Sequence, residues 1–135
     1  MQFHIVTDRN TNTPSSSVAR DNLGMALVSE GRIGDAMPHF RAAVEAAPSN
    51  ASAHMNLANA LAVTRKFEES LRHYARAAQL DPHDPRIPFN HGRALIDSGR
   101  AAESVERFRE ALRRDPGYTE ARRELDDLLR RQGGR

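Results

Sequence analysis

FRAAVEAAP at residues 40–48, YARAAQLDP at 74–82 and FREALRRDP at 108–116 decide the fold, because each stretch stands 34 residues after the one before. The alignment sets Phe40, Tyr74 and Phe108 in one row, Ala43, Ala77 and Ala111 in a second, and Pro48, Pro82 and Pro116 in a third. Working outward, the same step relates Gly24, Ala58 and Gly92, then Leu27, Leu61 and Leu95, then Ala36, Ser70 and Ser104. So many rows in one register do not arise by chance. Self-similarity at a fixed period marks a stacked repeat array, in which each unit buries its apolar stripe only against its neighbours.

Small residues where helices cross, aromatics in the core and a proline after the second helix make the pattern similar to the tetratricopeptide repeat. The resemblance runs from residue 17 to about 131. It implies an all-α, right-handed solenoid of three helix–turn–helix repeats, about 17–50, 51–84 and 85–118, closed by a capping helix at about 119–131. The first helix is expected from Ser16 or Ser17, both good caps, to Glu30, with Gly31 in the left-handed conformation that ends helices. Further helices are expected from Gly34 or Asp35 to Ala47, from a Ser49 or Asn50 cap to Thr64, and from Phe67 to Leu80. Asp84–Pro85 opens a fifth that stops at Gly99, Ala101–Arg114 is the sixth, and the cap carries Leu125, Leu128 and Leu129 as one apolar stripe. Pro38 and Pro88 are placed within or near first turns, where a missing amide costs least. His91 breaks the row of Leu23 and Leu57. Residues 1–16 read as a flexible leader, although Phe3, Ile5 and Val6 give its start an apolar, strand-like character. That start is expected to cover the unpartnered side of the first helix, to lie in a neighbour's groove, or to stay free.

Composition narrows the function. Cysteine is absent, which removes disulfides, thiolate metal sites and thiol nucleophiles. No apolar run is long enough to span a membrane and the amino terminus lacks a signal-peptide layout, so a cytoplasmic protein is expected. The pI of 9.6 reflects a net charge of only +2, with 20 basic and 18 acidic residues. Their signs are interspersed rather than gathered on one basic face, which argues against nucleic acid.

One more row carries the functional reading: Asn22, Asn56 and Asn90. Asparagine forms helices poorly, because its side chain competes for backbone hydrogen bonds. Three in mid-helix need a reason. The row resembles the groove-facing asparagines of the tetratricopeptide superhelix of O-linked N-acetylglucosamine transferase, which implies that their amides hold the main chain of an extended peptide. A carboxamide supplies an acceptor and two donors, matching a peptide unit. The other reading of the row is that each asparagine bonds a neighbouring helix and sets the angle between units. Counting three and four from the asparagines adds Asn59, Arg93, Met25 and Val63, with Arg86, Phe89, Ser52 and Met55 nearby. For the methionines helix packing is the competing role, and for the arginines plain solvation. The clamp by which heat-shock co-factor repeats hold a terminal carboxylate fits poorly. Asp21, Met25 and Phe89 stand where it needs basic or amide residues, and the chain's single lysine, Lys66, lies in a turn.

The six histidines form no His-Glu-x-x-His motif, and neither a nucleophile elbow nor a glycine-rich phosphate loop is present. No enzyme activity, cofactor or metal is therefore expected. The sequence reads as a non-enzymatic scaffold for a protein or extended peptide. The alternatives are an array that self-assembles into a homo-oligomer through its first helix, and the recognition arm of a larger glycosyltransferase-like complex.

Overall fold

The computed structural model describes residues 14–133, where the 34-residue period becomes seven helices: α1 (Pro14–Ser29), α2 (Ile33–Ala46), α3 (Ala51–Val63), α4 (Phe67–Leu80), α5 (Arg86–Asp97), α6 (Ala101–Arg114) and α7 (Thr119–Gly133). No strand occurs among the described residues. The expectations for residues 1–13 lie outside them. Helices pair as α1 with α2, α3 with α4 and α5 with α6, each pair then docking on the next, with α7 closing against α6. This is the all-α solenoid of three repeats and a cap.

Local chemistry sets the boundaries. Asn50 Oδ1 accepts from the amides of Ser52 and Ala53 at 3.0 and 3.3 Å, capping α3. Asp84 Oδ1 accepts from the Arg86 amide at 2.9 Å at the head of α5. Acidic Glu68 and Glu69 occupy the first turn of α4, and Arg113 and Arg114 the last turn of α6, each favoured by the helix dipole. The turns inside the hairpins need a left-handed residue. Gly31 and Gly99 supply it at φ of 79° and 84°, while the middle hairpin uses Arg65 at 65°. The Arg65 guanidinium lies 5.1 Å from the Phe67 ring centre, a contact that offsets part of the backbone cost.

Several expectations are corrected. Helix α1 begins at Pro14, so Ser17 is not a cap. It is buried inside the helix, and its Oγ donates to the Ala43 carbonyl at 2.9 Å, tying α1 to α2. Ser70 ties α4 to the Ala58 carbonyl in the same way at 2.8 Å. Pro38 lies beyond the first turn of α2, whereas Pro88 is inside the first turn of α5. On α7 the buried stripe is Ala121, Leu125 and Leu128, and Leu129, a 100° turn on from Leu128, is exposed.

The aromatic row sits directly on the small-residue row. A Cβ at Gly24 would stand 2.6 Å from the Phe40 ring, and one at Gly92 2.8 Å from the Phe108 ring. The core falls into three clusters, each straddling a joint between units. One joins Ala36 and Phe40 to Leu57, Ala60 and Leu61. A second joins Met55, Leu71 and Tyr74 to Ile87 and Leu95. The third joins Phe89 and Phe108 to Leu125 and Leu128. The aromatics thus pack within their own unit and against the next. His91, out of pattern in sequence, stacks on Tyr74 at 5.6 Å, and burial pulls its imidazole down to about 4.

Polar ties mark two of these joints and the middle hairpin. Arg41 on α2 grips Glu69 on α4 at 2.5 and 3.2 Å, which holds the Glu69 carboxyl below its usual range. Arg114 donates to the carbonyls of Asp81 and Asp84 at 3.2 and 2.8 Å. His54 Nε2 meets the Pro48 carbonyl at 2.7 Å, and its Nδ1 lies 3.0 Å from His73 Nδ1. A carbonyl only accepts, so His54 Nε2 donates to Pro48, and one of the two Nδ1 atoms donates to the other. His73 is therefore a tie between α3 and α4.

Candidate peptide-binding groove

The first helices of the units, α1, α3 and α5, lie side by side, and two adjoining cavities open along their shared face. The first, about 140 Å³, is walled by Met25 and Val28 of α1, Ile33 and Phe40 of α2, and Asn56, Asn59, Ala60 and Val63 of α3. The second, about 270 Å³, is walled by Asn59, Ala62 and Val63 of α3, Tyr74 of α4, and Asn90, Arg93, Ala94 and Asp97 of α5. Asn59 and Val63 belong to both, so the two form one trough. Helical spacing produces it: positions 56, 59 and 63 fall on one side of α3 and positions 90, 93 and 97 on one side of α5.

Of the asparagine row, Asn56 lines the first cavity and Asn90 the second, while Asn22 is exposed and lines neither. Two amides also serve the fold. Tyr74, whose hydroxyl burial pushes up in pKa, donates it to Asn59 Oδ1. That leaves the Asn59 NH₂ group to donate elsewhere. Asn56 faces Asp21, which is 7% exposed and has an Oδ1 without a hydrogen-bond partner among the described residues. Burial raises the Asp21 carboxyl and the Asn56 amide partly offsets it. A carboxyl whose pKa is higher in the folded than in the unfolded chain weighs against folding while it is charged, near neutral pH. That cost fades as pH falls through its folded value. The units' equivalents of Asp21 are Met55 and Phe89, both apolar.

Two expected groove residues are placed elsewhere. Met55 is buried in the second core cluster and Phe89 in the third, against Phe108 and Tyr118. Each sits one residue before an asparagine, a 100° turn away from the trough. Arg93 does reach it, exposed, with its guanidinium 5.8 Å from the Phe89 ring centre. Arg86 lines neither cavity; Asp84 clasps it at 2.7 Å, which holds the Asp84 carboxyl low. Missing from the sequence reading, besides three alanines, were Val28, Ile33, Phe40, Tyr74 and Asp97. The first and last of these follow from three- and four-residue steps on Met25 and Arg93.

A larger cavity, about 580 Å³, opens between α4, α5 and α6. There Arg100 pairs with Glu103 at 2.8 Å and Glu68 at 3.6 Å. Among the described residues there is no cluster of three metal-ligating side chains, and no helix is long and apolar enough to cross a membrane.

Two family models, each described as tetratricopeptide repeat, match residues 22–85 and 64–123. No curated protein matches the chain in sequence. Among solved structures, it is similar to the first TPR domain of Spaghetti (RPAP3) bound to an HSP90 peptide. That likeness has TM-score 0.83 and 18% identity, over 89% of this chain and 98% of that one. It is also similar to the Yersinia enterocolitica type III secretion translocator chaperone SycD, at TM-score 0.83 and 17% identity over 92% and 99% of the two chains. The second TPR domain of human RPAP3, in complex with an HSP70 peptide, gives TM-score 0.79 and 24% identity over 86% and 98%. At such identities the likeness speaks for the fold. Helix pairs, small-residue crossings and overlapping matches from residue 22 to 123 agree: the chain belongs to the tetratricopeptide-repeat family.

Proposed function

We propose that the chain is a non-enzymatic scaffold that holds an extended peptide segment along α1, α3 and α5. The observation that carries this reading is the trough itself: two cavities share Asn59 and Val63, and each contains one asparagine of the row. Amides spaced along an apolar trough bind main chain in the manner of peptide-recognising grooves, with side-chain pockets adding selectivity. The peptide complexes of the Spaghetti and human RPAP3 domains support this class of ligand. A cytoplasmic location belongs to the same proposal and is in keeping with a cysteine-free sequence.

The test is Asn56→Ala with Asn90→Ala, measured against peptides selected from a random library on the unaltered protein. Each lost hydrogen bond is worth about 0.5–1.5 kcal/mol, so affinity should fall about ten- to a hundredfold while helicity is kept. Unchanged affinity in a folded double variant would end the groove reading. A large drop in melting temperature would assign the asparagines to helix–helix bonding instead.

A second reading, self-assembly, is favoured by an apolar face of α1 that no described residue covers. Ala19, Leu23 and Ala26 are exposed there, Leu23 to 48%, although they are in register with Ala121, Leu125 and Leu128, by which α7 docks on α6. On this reading light scattering finds a dimer that Leu23→Lys converts to a monomer. A monomeric parent protein removes it.

A further inference from the structure

We infer that the first cavity is an anchor subsite for one apolar side chain of leucine to phenylalanine size, with an uncharged polar side chain two residues along the bound segment seated in the second. This rests on the groove reading and specifies what the groove selects. Met25, Val28 and Val63 are half of the six large hydrophobics that the described surface exposes, and all three ring this cavity, Val63 to 69% and Met25 to 54%. Apolar side chains gathered on one concave spot mark an interaction site, whereas single ones scattered over a surface do not.

Size agrees. At about 140 Å³ the space is close to that of the cavity of about 150 Å³ that holds benzene in another protein, enough for one branched or phenyl side chain. Phe40 and Ala60 form buried wall, so the pocket is preformed rather than opened by the ligand. Asn56 and Asn59 stand beside it. With Asn59 Oδ1 engaged by Tyr74, its NH₂ group is left to meet a main-chain carbonyl next to the anchor residue.

The second cavity has another character. Arg93 and Asp97 bring one charge of each sign, and Asn90 adds a carboxamide. A net-neutral polar pocket favours a hydrogen-bonding side chain over a charged one. In an extended segment residues i and i+2 project to the same side, about 6.6 Å apart at 3.3 Å per residue, which suits cavities that share a wall. The ligand is therefore a neutral apolar–x–polar segment, and its binding changes little with salt, unlike an acidic one steered by charge.

The experiment uses the full chain and libraries of ten-residue peptides with acetylated and amidated ends, each fixing one residue type at one position. The parent protein should enrich Leu, Ile, Met or Phe at one position and Asn, Gln, Ser or Thr two positions away. Met25→Glu and Val63→Glu, both at exposed sites, should abolish the apolar preference. They should also weaken the selected peptide about tenfold or more, as expected when a buried leucine contact is lost. Asn56→Ala with Asn90→Ala should weaken all peptides and leave that preference intact. Peptide binding without an apolar preference, or a preference that survives both glutamates, overturns the anchor subsite while the groove stands. Binding of no peptide overturns both. Strong enrichment of Asp or Glu overturns the neutral assignment of the second cavity.

Discussion

Replacing Phe108 with alanine is expected to destabilise the protein by about 3–5 kcal/mol, as for other buried aromatics. The ring is fully buried, lies against Gly92 and meets Phe89 edge-on at 5.7 Å. Against the 5–15 kcal/mol that holds a domain of ordinary stability, that is a fifth of the total or more, and urea titration would register it directly. The contact with Gly92 has its own signature. Alanine is a better helix former than glycine by about 1 kcal/mol, but a Cβ there stands 2.8 Å from the ring, and overpacking costs about 1–3 kcal/mol. Gly92→Ala should therefore be neutral to destabilising in the parent protein and stabilising beside Phe108→Leu. Equal effects in the two backgrounds would mean that ring and glycine do not meet. The middle unit shows the accommodated version, with Ala58 in the small-residue row and Tyr74 fixed by its bond to Asn59.

Removing α7 should be more damaging still. Leu125 and Leu128 are buried against α6, each worth about 1.5–3 kcal/mol. Their loss also uncovers Phe89, Val105 and Leu112. A chain ending at residue 117 is expected to melt at much lower temperature and to aggregate on warming, followed by circular dichroism and light scattering. Leu125→Asp should reproduce most of the loss within the full-length chain, and Leu129→Ser, at an exposed site, should reproduce none of it. Equal melting of truncated and full chains would show that α7 is not a cap.

Periodicity made most of this architecture legible. Rows of identical or similar residues 34 apart placed α4 and α6 to the residue, and the small-against-aromatic rows foretold the crossings of Gly24 and Gly92. Legibility ended where a residue has no equivalents to vote with it. Ser17 resembled a cap because serine favours helix ends, yet its hydroxyl serves a carbonyl on another helix. The missing signal was Pro14, which stands 34 residues before Pro48 and marks the joint at which α1 begins. Met55 and Phe89 were read into the groove because they neighbour asparagines in sequence. A middle helix is packed on two sides, however, and one step around it passes from trough to core. The walls supplied by α2 and α4, Ile33, Phe40 and Tyr74, depend on how hairpins close, which spacing on one helix does not report.

The three core clusters each belong to a joint and none to a single hairpin. A segment of 34 residues taken in phase therefore carries half of one joint at its front and half of another at its back. Inserting such a segment, or losing one, regenerates whole joints and leaves the end surfaces as they were. Heredity can thus change the number of units more readily than it can alter the inside of any one. On the proposed groove reading the trough would grow or shrink by one carboxamide and one side-chain pocket at a time, so the length of segment held would be a quantity that gene duplication adjusts in whole steps.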